Sequence, residues 1–321
     1  MSERLTVLLP ALKAEHRSRI AAQADALGFA CSFAENEDDA RPLMADTEVF
    51  FGVSATLPAA APGLKWVASP NAGAEPYCTP GVLPAGVILT NSAGAYGVTI
   101  AEHIVMVSLE MLRRRADYLD IVARREWTRD LPIRSLHGAR ITLLGAGDIG
   151  CEAARRLRAF SPASITGLSR SGQSREPGLY DRLLPVSALD AVLPETDLLI
   201  CSVPGTPETV GLLDARRLAL LSAGAFLVNV GRGSLVDETA LCEALRAGRL
   251  GGAALDVFRA EPLPADSPLW AVPGLTVTPH ISGNTTLPYT LDRVVALFLE
   301  NLSRHAARLP LLRVVRPDLG Y

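Results

Sequence analysis

Three residues with reactive side chains stand far apart in this chain, each in a distinctive local frame: Arg232 in VNVGRGSLVDETAL, Glu261 in ALDVFRAEPLP and His280 in TVTPHISGNT. A guanidinium can fork onto a carboxylate, an imidazole exchanges a proton near neutral pH, and a carboxylate can hold that imidazole in one orientation. The set suits proton-coupled chemistry on an α-keto or α-hydroxy acid. Upstream, LLGAGDIG places Gly145, Gly147 and Gly150 in the spacing of a dinucleotide loop. Together these residues read as the parts of a nicotinamide-dependent dehydrogenase.

A lone GxGxxG also serves as an ordinary turn, so its context decides. Gly145 directly follows the apolar run 141–144, and CEAARRLRAF after Gly150 is a good helix sequence. In that setting Gly145 permits the tight turn and Gly147 lets the backbone approach a pyrophosphate. Gly150 allows close packing of helix and strand, and Asp148 and Ile149 open the helix whose free N–H groups favour phosphate. At the end of the next strand an NAD site usually carries Asp or Glu for the ribose hydroxyls. Here GLSRSG offers Ser169 and Arg170 instead, with Arg175 as a second charge. A hydroxyl and a guanidinium suit the 2′-phosphate of NADP, with NAD as the weaker alternative. A solvated loop arginine is the plainer reading of Arg170.

The elements that must position these groups follow from the patterning. Two domains are the default for 321 residues. RLTVLLP, EVFFGVS, LKWVASP and GVILTNS read as strands, and HRSRIAAQADALGF as an amphipathic helix closed by Gly28. The stretch 99–127 reads as one long helix. A second βα series begins at ARITLLGAGDIG and runs through ASITGLSR, DLLICSVP, AFLVNVG, GGAALDV and LTVTPH. Nearly continuous apolar strands imply parallel sheets covered on both faces. The stretch after Pro288 reads as a helix able to pack back on the first domain. A net charge of −3 without a basic tract gives no reason to expect nucleic acid or an anionic membrane as partner. No apolar run is long enough to span a bilayer, and the N-terminal run fits a first strand better than a signal peptide. Five scattered cysteines without a CxxC fit a reduced cytoplasmic protein, and no metal site is expected.

With these residues in view, the chain resembles the D-isomer-specific 2-hydroxyacid dehydrogenases. The likeness is carried by GAGDIG (145–150), SVPGTPET (202–209), VNVGRGSLVDETAL (228–241), AALDVFRAEPLP (253–264), SPLWAVPGLTVTPHISG (267–283) and a C-terminal DLGY. The resemblance implies an α/β protein of two Rossmann-like, doubly wound parallel-sheet domains. A discontinuous substrate domain, 1–98 with 289–321, would flank a dinucleotide-binding domain, 99–288, with the active site in the cleft between them. It further implies that Arg232 binds the substrate carboxylate and carbonyl, and that His280 is the acid/base with Glu261 on its other ring nitrogen. Ala72 and Gly73 in SPNAGAE would offer backbone N–H groups to the carboxylate. Asp256 would hold the nicotinamide carboxamide, and Val203, Pro204, Thr209, Val230 and Gly283 would line the cofactor. A homodimer is what such a family suggests.

Taken singly, Arg232 suits a surface salt bridge as well, and His280 a structural histidine. His103, in AEHIVM, reads as packing for the long helix. The expectation is an NADPH-preferring reductase of a small 2-keto acid, glyoxylate or hydroxypyruvate first. The alternatives are a phosphoglycerate-type dehydrogenase, against which Glu75 beside the 72–73 loop counts, and a non-enzymatic dinucleotide-sensing, corepressor-like protein.

Overall fold

Short apolar runs become parallel strands here because each is followed by a segment that crosses back over the sheet. A computed structural model describes residues 3–79 and 81–316; the DLGY segment lies outside them. The chain forms two units, 1–96 with 284–321 and 97–283. The divisions fall at 96/97 and 283/284, rather than at the expected 98/99 and 288/289.

In the first unit, β1 (Arg4–Leu8), β2 (Ala30–Ala34), β3 (Val49–Gly52), β4 (Trp66–Ala68) and β5 (Ile88–Thr90) form a parallel sheet in the order β2-β1-β3-β4-β5. Helices α1 (Ala14–Ala26) and α2 (Glu37–Ala40) belong to its crossovers. Gly28, at φ +82°, ends α1 as its position suggests. β2 is absent from the expected strands. It is a half-exposed edge strand, ACSFA, with little of the β-branched character that marks the central ones.

The second unit opens with α3 (Gly97–Leu112) and α4 (Arg115–Ala123), where one long helix is expected. Arg114 takes the left-handed conformation, φ +54°, and breaks the run. Neither Gly nor Pro announces that stop; Arg114 instead forks onto Asp117 at 2.9 and 3.1 Å. A seven-stranded parallel sheet follows, with β6 (Arg140–Leu144), β7 (Ser164–Ser169), β8 (Arg182–Pro185), β9 (Leu198–Cys201), β10 (Phe226–Asn229), β11 (Gly252–Leu255) and β12 (Leu275–Val277) in the order β12-β11-β10-β9-β6-β7-β8. β8, another partly exposed edge strand and one ending in proline, also escapes the sequence pattern. Helices α5 (Asp148–Arg158), α6 (Leu189–Val192), α7 (Ala215–Leu220) and α8 (Glu238–Arg246) complete the unit. Strand order reverses between β6 and β9, and ligands of open α/β sheets bind beyond the carboxyl ends of strands at such a switch point.

The last described helix, α9 (Pro288–Ala306), belongs to the first unit and packs against its sheet and α1. Phe298 stacks on Phe51 at 4.0 Å between ring centroids and on Trp66 at 5.5 Å. Gln23 on α1 donates to the Leu299 carbonyl at 2.7 Å. Both domains are thus parallel α/β sheets, and the first is discontinuous in sequence. No described helix is long and apolar enough to cross a membrane.

Candidate active site

The proposed catalytic and cofactor groups of the second unit lie at or just past the carboxyl ends of its strands. β6 runs into Gly145, whose N–H bonds the Leu168 carbonyl at 2.9 Å. Gly147 is the N-cap of α5, and a side chain there would meet no atom within 4 Å. That open backbone is what a pyrophosphate needs. Asp148 and Ile149 form the first helical turn, where N–H groups lack helical partners. A Cβ on Gly150 would overlap the carbonyl of Gly145, so this glycine lets the helix close onto its own loop. An open glycine backbone at a helix N-terminus fits a dinucleotide phosphate.

After β7, the Ser169 hydroxyl donates to the Gln173 carbonyl at 2.8 Å and accepts its N–H at 2.9 Å. It therefore closes the turn that carries Arg170. Ser174 ties this loop to the glycine loop by donating to the Ala146 carbonyl at 3.0 Å. The Thr206 hydroxyl, aided by the nearby charge of Arg170, holds the Glu208 carboxyl below its usual range. Val203 and Pro204 follow β9. Thr209 braces them, donating to the Pro204 carbonyl at 2.7 Å and accepting the Thr206 N–H at 2.8 Å. Val230 follows β10, its N–H bonded to the Cys201 carbonyl at 3.0 Å, and Gly283 closes the second unit.

The Arg232 loop is folded by Asn229, a fully buried amide ending an otherwise apolar strand. Its Oδ1 accepts the Gly231 N–H at 3.1 Å and its Nδ2 donates to the Arg232 carbonyl at 2.9 Å. The guanidinium is half-buried and donates to the Gly231 carbonyl at 2.7 Å. A Cβ on Gly233 would collide with the Phe258 backbone, so the Arg232 loop is seated directly on the loop that leads to Glu261.

Glu261 and His280 meet. Glu261 Oε2 lies 2.7 Å from His280 Nδ1, while Oε1 accepts the Phe258 N–H at 2.8 Å. With Nδ1 committed to the carboxylate, Nε2 is the ring nitrogen free to exchange a proton. His280 has φ +52°, a left-handed conformation uncommon for residues other than glycine, and its side chain is half exposed. The turn that imposes this conformation hangs on Asp256. The Asp256 side chain has no exposed surface. Its Oδ1 accepts from the Thr278 hydroxyl at 2.6 Å and the Ile281 N–H at 2.9 Å, and its Oδ2 accepts the Ser282 N–H at 3.0 Å. Its carbonyl accepts the His280 N–H at 2.9 Å.

In the first unit, Ala72 and Gly73 follow β4. The Ala72 carbonyl accepts from Asn91 Nδ2 at 2.7 Å, and Tyr96 donates to the Pro70 carbonyl at 2.8 Å. The NSAGAY segment, uninformative as a motif, is thus the brace of this loop. Sequence reasoning passes over Asn229, Thr278, Ser282 and Asn91. The one available signal is a polar residue closing an apolar run, as Asn229 and Thr278 both do.

A family model described as "D-isomer specific 2-hydroxyacid dehydrogenase, NAD binding domain" matches residues 105–282. The glyoxylate/hydroxypyruvate reductase A of Serratia proteamaculans (strain 568) is 35% identical over 224 residues, 68% of this chain and 69% of the relative. Among solved structures, a D-isomer specific 2-hydroxyacid dehydrogenase from Xanthobacter autotrophicus Py2, in complex with NADPH and MES, superposes with a TM-score of 0.84 at 30% identity. It covers 100% of both chains. The NADPH-dependent glyoxylate/hydroxypyruvate reductase of Sinorhizobium meliloti, in complex with NADP and sulfate, gives a TM-score of 0.85 at 28% identity, covering 99% of this chain and 100% of that one.

The contact of Gly233 with Phe258 predicts that Gly233→Ala is far more damaging than its single methyl suggests. Overpacking of this kind costs about 1–3 kcal/mol, and here it must displace the Arg232 or the Glu261 loop. Chemical denaturation should show the loss, with keto-acid turnover falling alongside it. A variant of unchanged stability and turnover would contradict the seating of the two loops.

Proposed function

The chain belongs to the D-isomer specific 2-hydroxyacid dehydrogenase family, and from that premise we propose that it is an NADPH-preferring reductase of a small 2-keto acid, of the glyoxylate or hydroxypyruvate kind, yielding the D-2-hydroxy acid. The observation that carries this reading is the Glu261–His280 pair, 2.7 Å apart, on a loop in contact with that of Arg232. Its reaction class, an NAD(P)-dependent oxidoreductase acting on a 2-hydroxy acid, comes with the family.

In this proposal Arg232 binds the substrate carboxylate and stabilises negative charge developing on the keto oxygen. His280 gives the proton on Nε2 to that oxygen, while Glu261 keeps Nδ1 protonated and the ring in one orientation. The amides of Ala72 and Gly73 are assigned to the substrate carboxylate. The cofactor, held by the glycine loop, Val203, Pro204, Thr209, Val230 and Gly283, supplies the hydride when bound. Asp256 is assigned to the nicotinamide side of the site, where its own side-chain oxygens are engaged by the 278–282 turn. Arg170 is assigned to the 2′-phosphate, in place of the neighbouring Glu208 carboxylate, while Ser169 shapes the turn. The NADP and NADPH complexes of the two similar structures support that assignment.

A panel of 2-keto acids, including glyoxylate, hydroxypyruvate and 3-phosphohydroxypyruvate, assayed with NADPH and with NADH tests the reading. NADPH with one of the two smaller acids should give the highest kcat/KM. Arg170→Ala should weaken NADPH use by about 1.5–3 kcal/mol, the worth of a hydrogen bond to a charged group, and leave NADH use nearly untouched. Equal use of both cofactors by the wild type would sink the NADPH assignment, and no turnover of any keto acid would sink the reductase.

Arg232→Lys keeps the charge but loses the fork. It should lower kcat/KM for the keto acid roughly 10- to 100-fold, equivalent to about 1.5–3 kcal/mol, with NADPH affinity little changed. Near-normal kinetics would place Arg232 outside the substrate site.

A further inference from the structure

His103 is the one histidine of the second unit besides His280 whose ring points at the catalytic turn. It lies on α3, and its side chain is only 8% exposed. Its Nε2 stands 3.4 Å from the Thr278 hydroxyl and 4.0 Å from Asp256 Oδ1. Thr278 in turn donates its proton to Asp256 Oδ1 at 2.6 Å. A hydroxyl that has given its proton away can only accept at its other side, so it offers His103 a lone pair. The ring that matches is the neutral tautomer with hydrogen on Nε2. Burial favours that neutral form, pushing His103 below the usual histidine range against the opposing charges of Asp256 and Glu110.

The chain of contacts therefore runs in one direction: His103 Nε2–H to Thr278 Oγ1, Thr278 Oγ1–H to Asp256 Oδ1. Asp256 then holds Ile281, Ser282 and, through its carbonyl, His280. Thr278 would reach Asp256 without His103. The added donor fixes the hydroxyl's rotor and so fixes which lone pairs of Asp256 remain for the two backbone N–H groups. Since His280 sits in a left-handed conformation that its own backbone disfavours, loosening this support moves the imidazole away from the productive geometry.

We propose that His103 is a positioning residue for the reduction, acting through the Thr278 hydroxyl and Asp256 to hold the turn that presents His280. The inference rests on His280 being the proton donor, as proposed above. It assigns His103 no contact with substrate or cofactor.

The test compares wild type with His103→Leu, His103→Gln, Thr278→Val, Thr278→Ser and the double variant His103→Leu/Thr278→Val. Each is assayed for kcat and KM with the preferred keto acid and for NADPH dissociation by fluorescence. His103→Leu and Thr278→Val should each lower kcat up to about tenfold, the worth of one neutral hydrogen bond expressed in the transition state. NADPH dissociation should stay within about twofold, well below the tenfold step that 1.4 kcal/mol would make. The double variant should be no slower than the worse single one, because both cut the same chain. Thr278→Ser should keep the wild-type rate, and His103→Gln, whose amide can still donate, should recover part of the loss.

If His103→Leu does not fold, His103→Phe, a ring of similar shape that cannot donate, takes its place: a kcat lowered as expected for the leucine variant supports the relay, and wild-type kcat overturns it. Wild-type kcat in His103→Leu, or losses that multiply in the double variant, also overturn it. Loss of NADPH binding in proportion to kcat would mean a packing role only. A wild type that reduces no keto acid overturns the parent reading and this one together, whereas an active wild type with indifferent His103 variants removes only the relay.

Discussion

A carboxylate buried at the end of β11 is the constraint on which the candidate site depends. Taking Asp256 out of water is costly unless its oxygens find donors, and the chain supplies them from one short segment: the Thr278 hydroxyl and the N–H groups of Ile281 and Ser282. Satisfying that carboxylate bends the backbone after β12 so tightly that His280 is left in the left-handed region. Strain of this kind persists only where surrounding bonds over-determine it, and here they do. The imidazole is then presented to Glu261, whose second oxygen is fixed by the Phe258 N–H.

The other chemical groups are fixed by the same economy of strand ends. Asn229 closes β10 and folds the Arg232 loop with both ends of its amide. Gly233 then seats that loop on Phe258, three residues before Glu261, so the guanidinium and the carboxylate–imidazole pair share one foundation. Two strands away along the sheet, Gly150 lets α5 close onto the phosphate loop. Parallel strands bring these loops to one edge, which is why residues far apart in sequence come together there.

Much of this is legible in the sequence. The apolar runs of the central strands, the glycine loop and the frames around Arg232, Glu261 and His280 all carry local signals. What was not legible has physical reasons. β2 and β8 lie at sheet edges, where half-exposed strands need little apolar patterning. The break at Arg114 is made by an arginine in a conformation usually left to glycine or asparagine. The pairing of Glu261 with His280 is a tertiary contact between two strand ends, and no spacing rule reaches it. In sequence Thr278 reads as a strand residue and His103 as a helix-packing residue, because their meaning lies in what the fold sets beside them.

The account stands most directly on His280 as the proton donor. The deciding measurement is the single-turnover rate of keto-acid reduction in His280→Ala with NADPH already bound. A positioned general acid contributes roughly 10²–10⁴-fold to such a step, so the rate should fall within that range while NADPH dissociation is unchanged. A variant that still reduces the keto acid within about tenfold of the wild-type rate, below the floor of that range, would contradict the account.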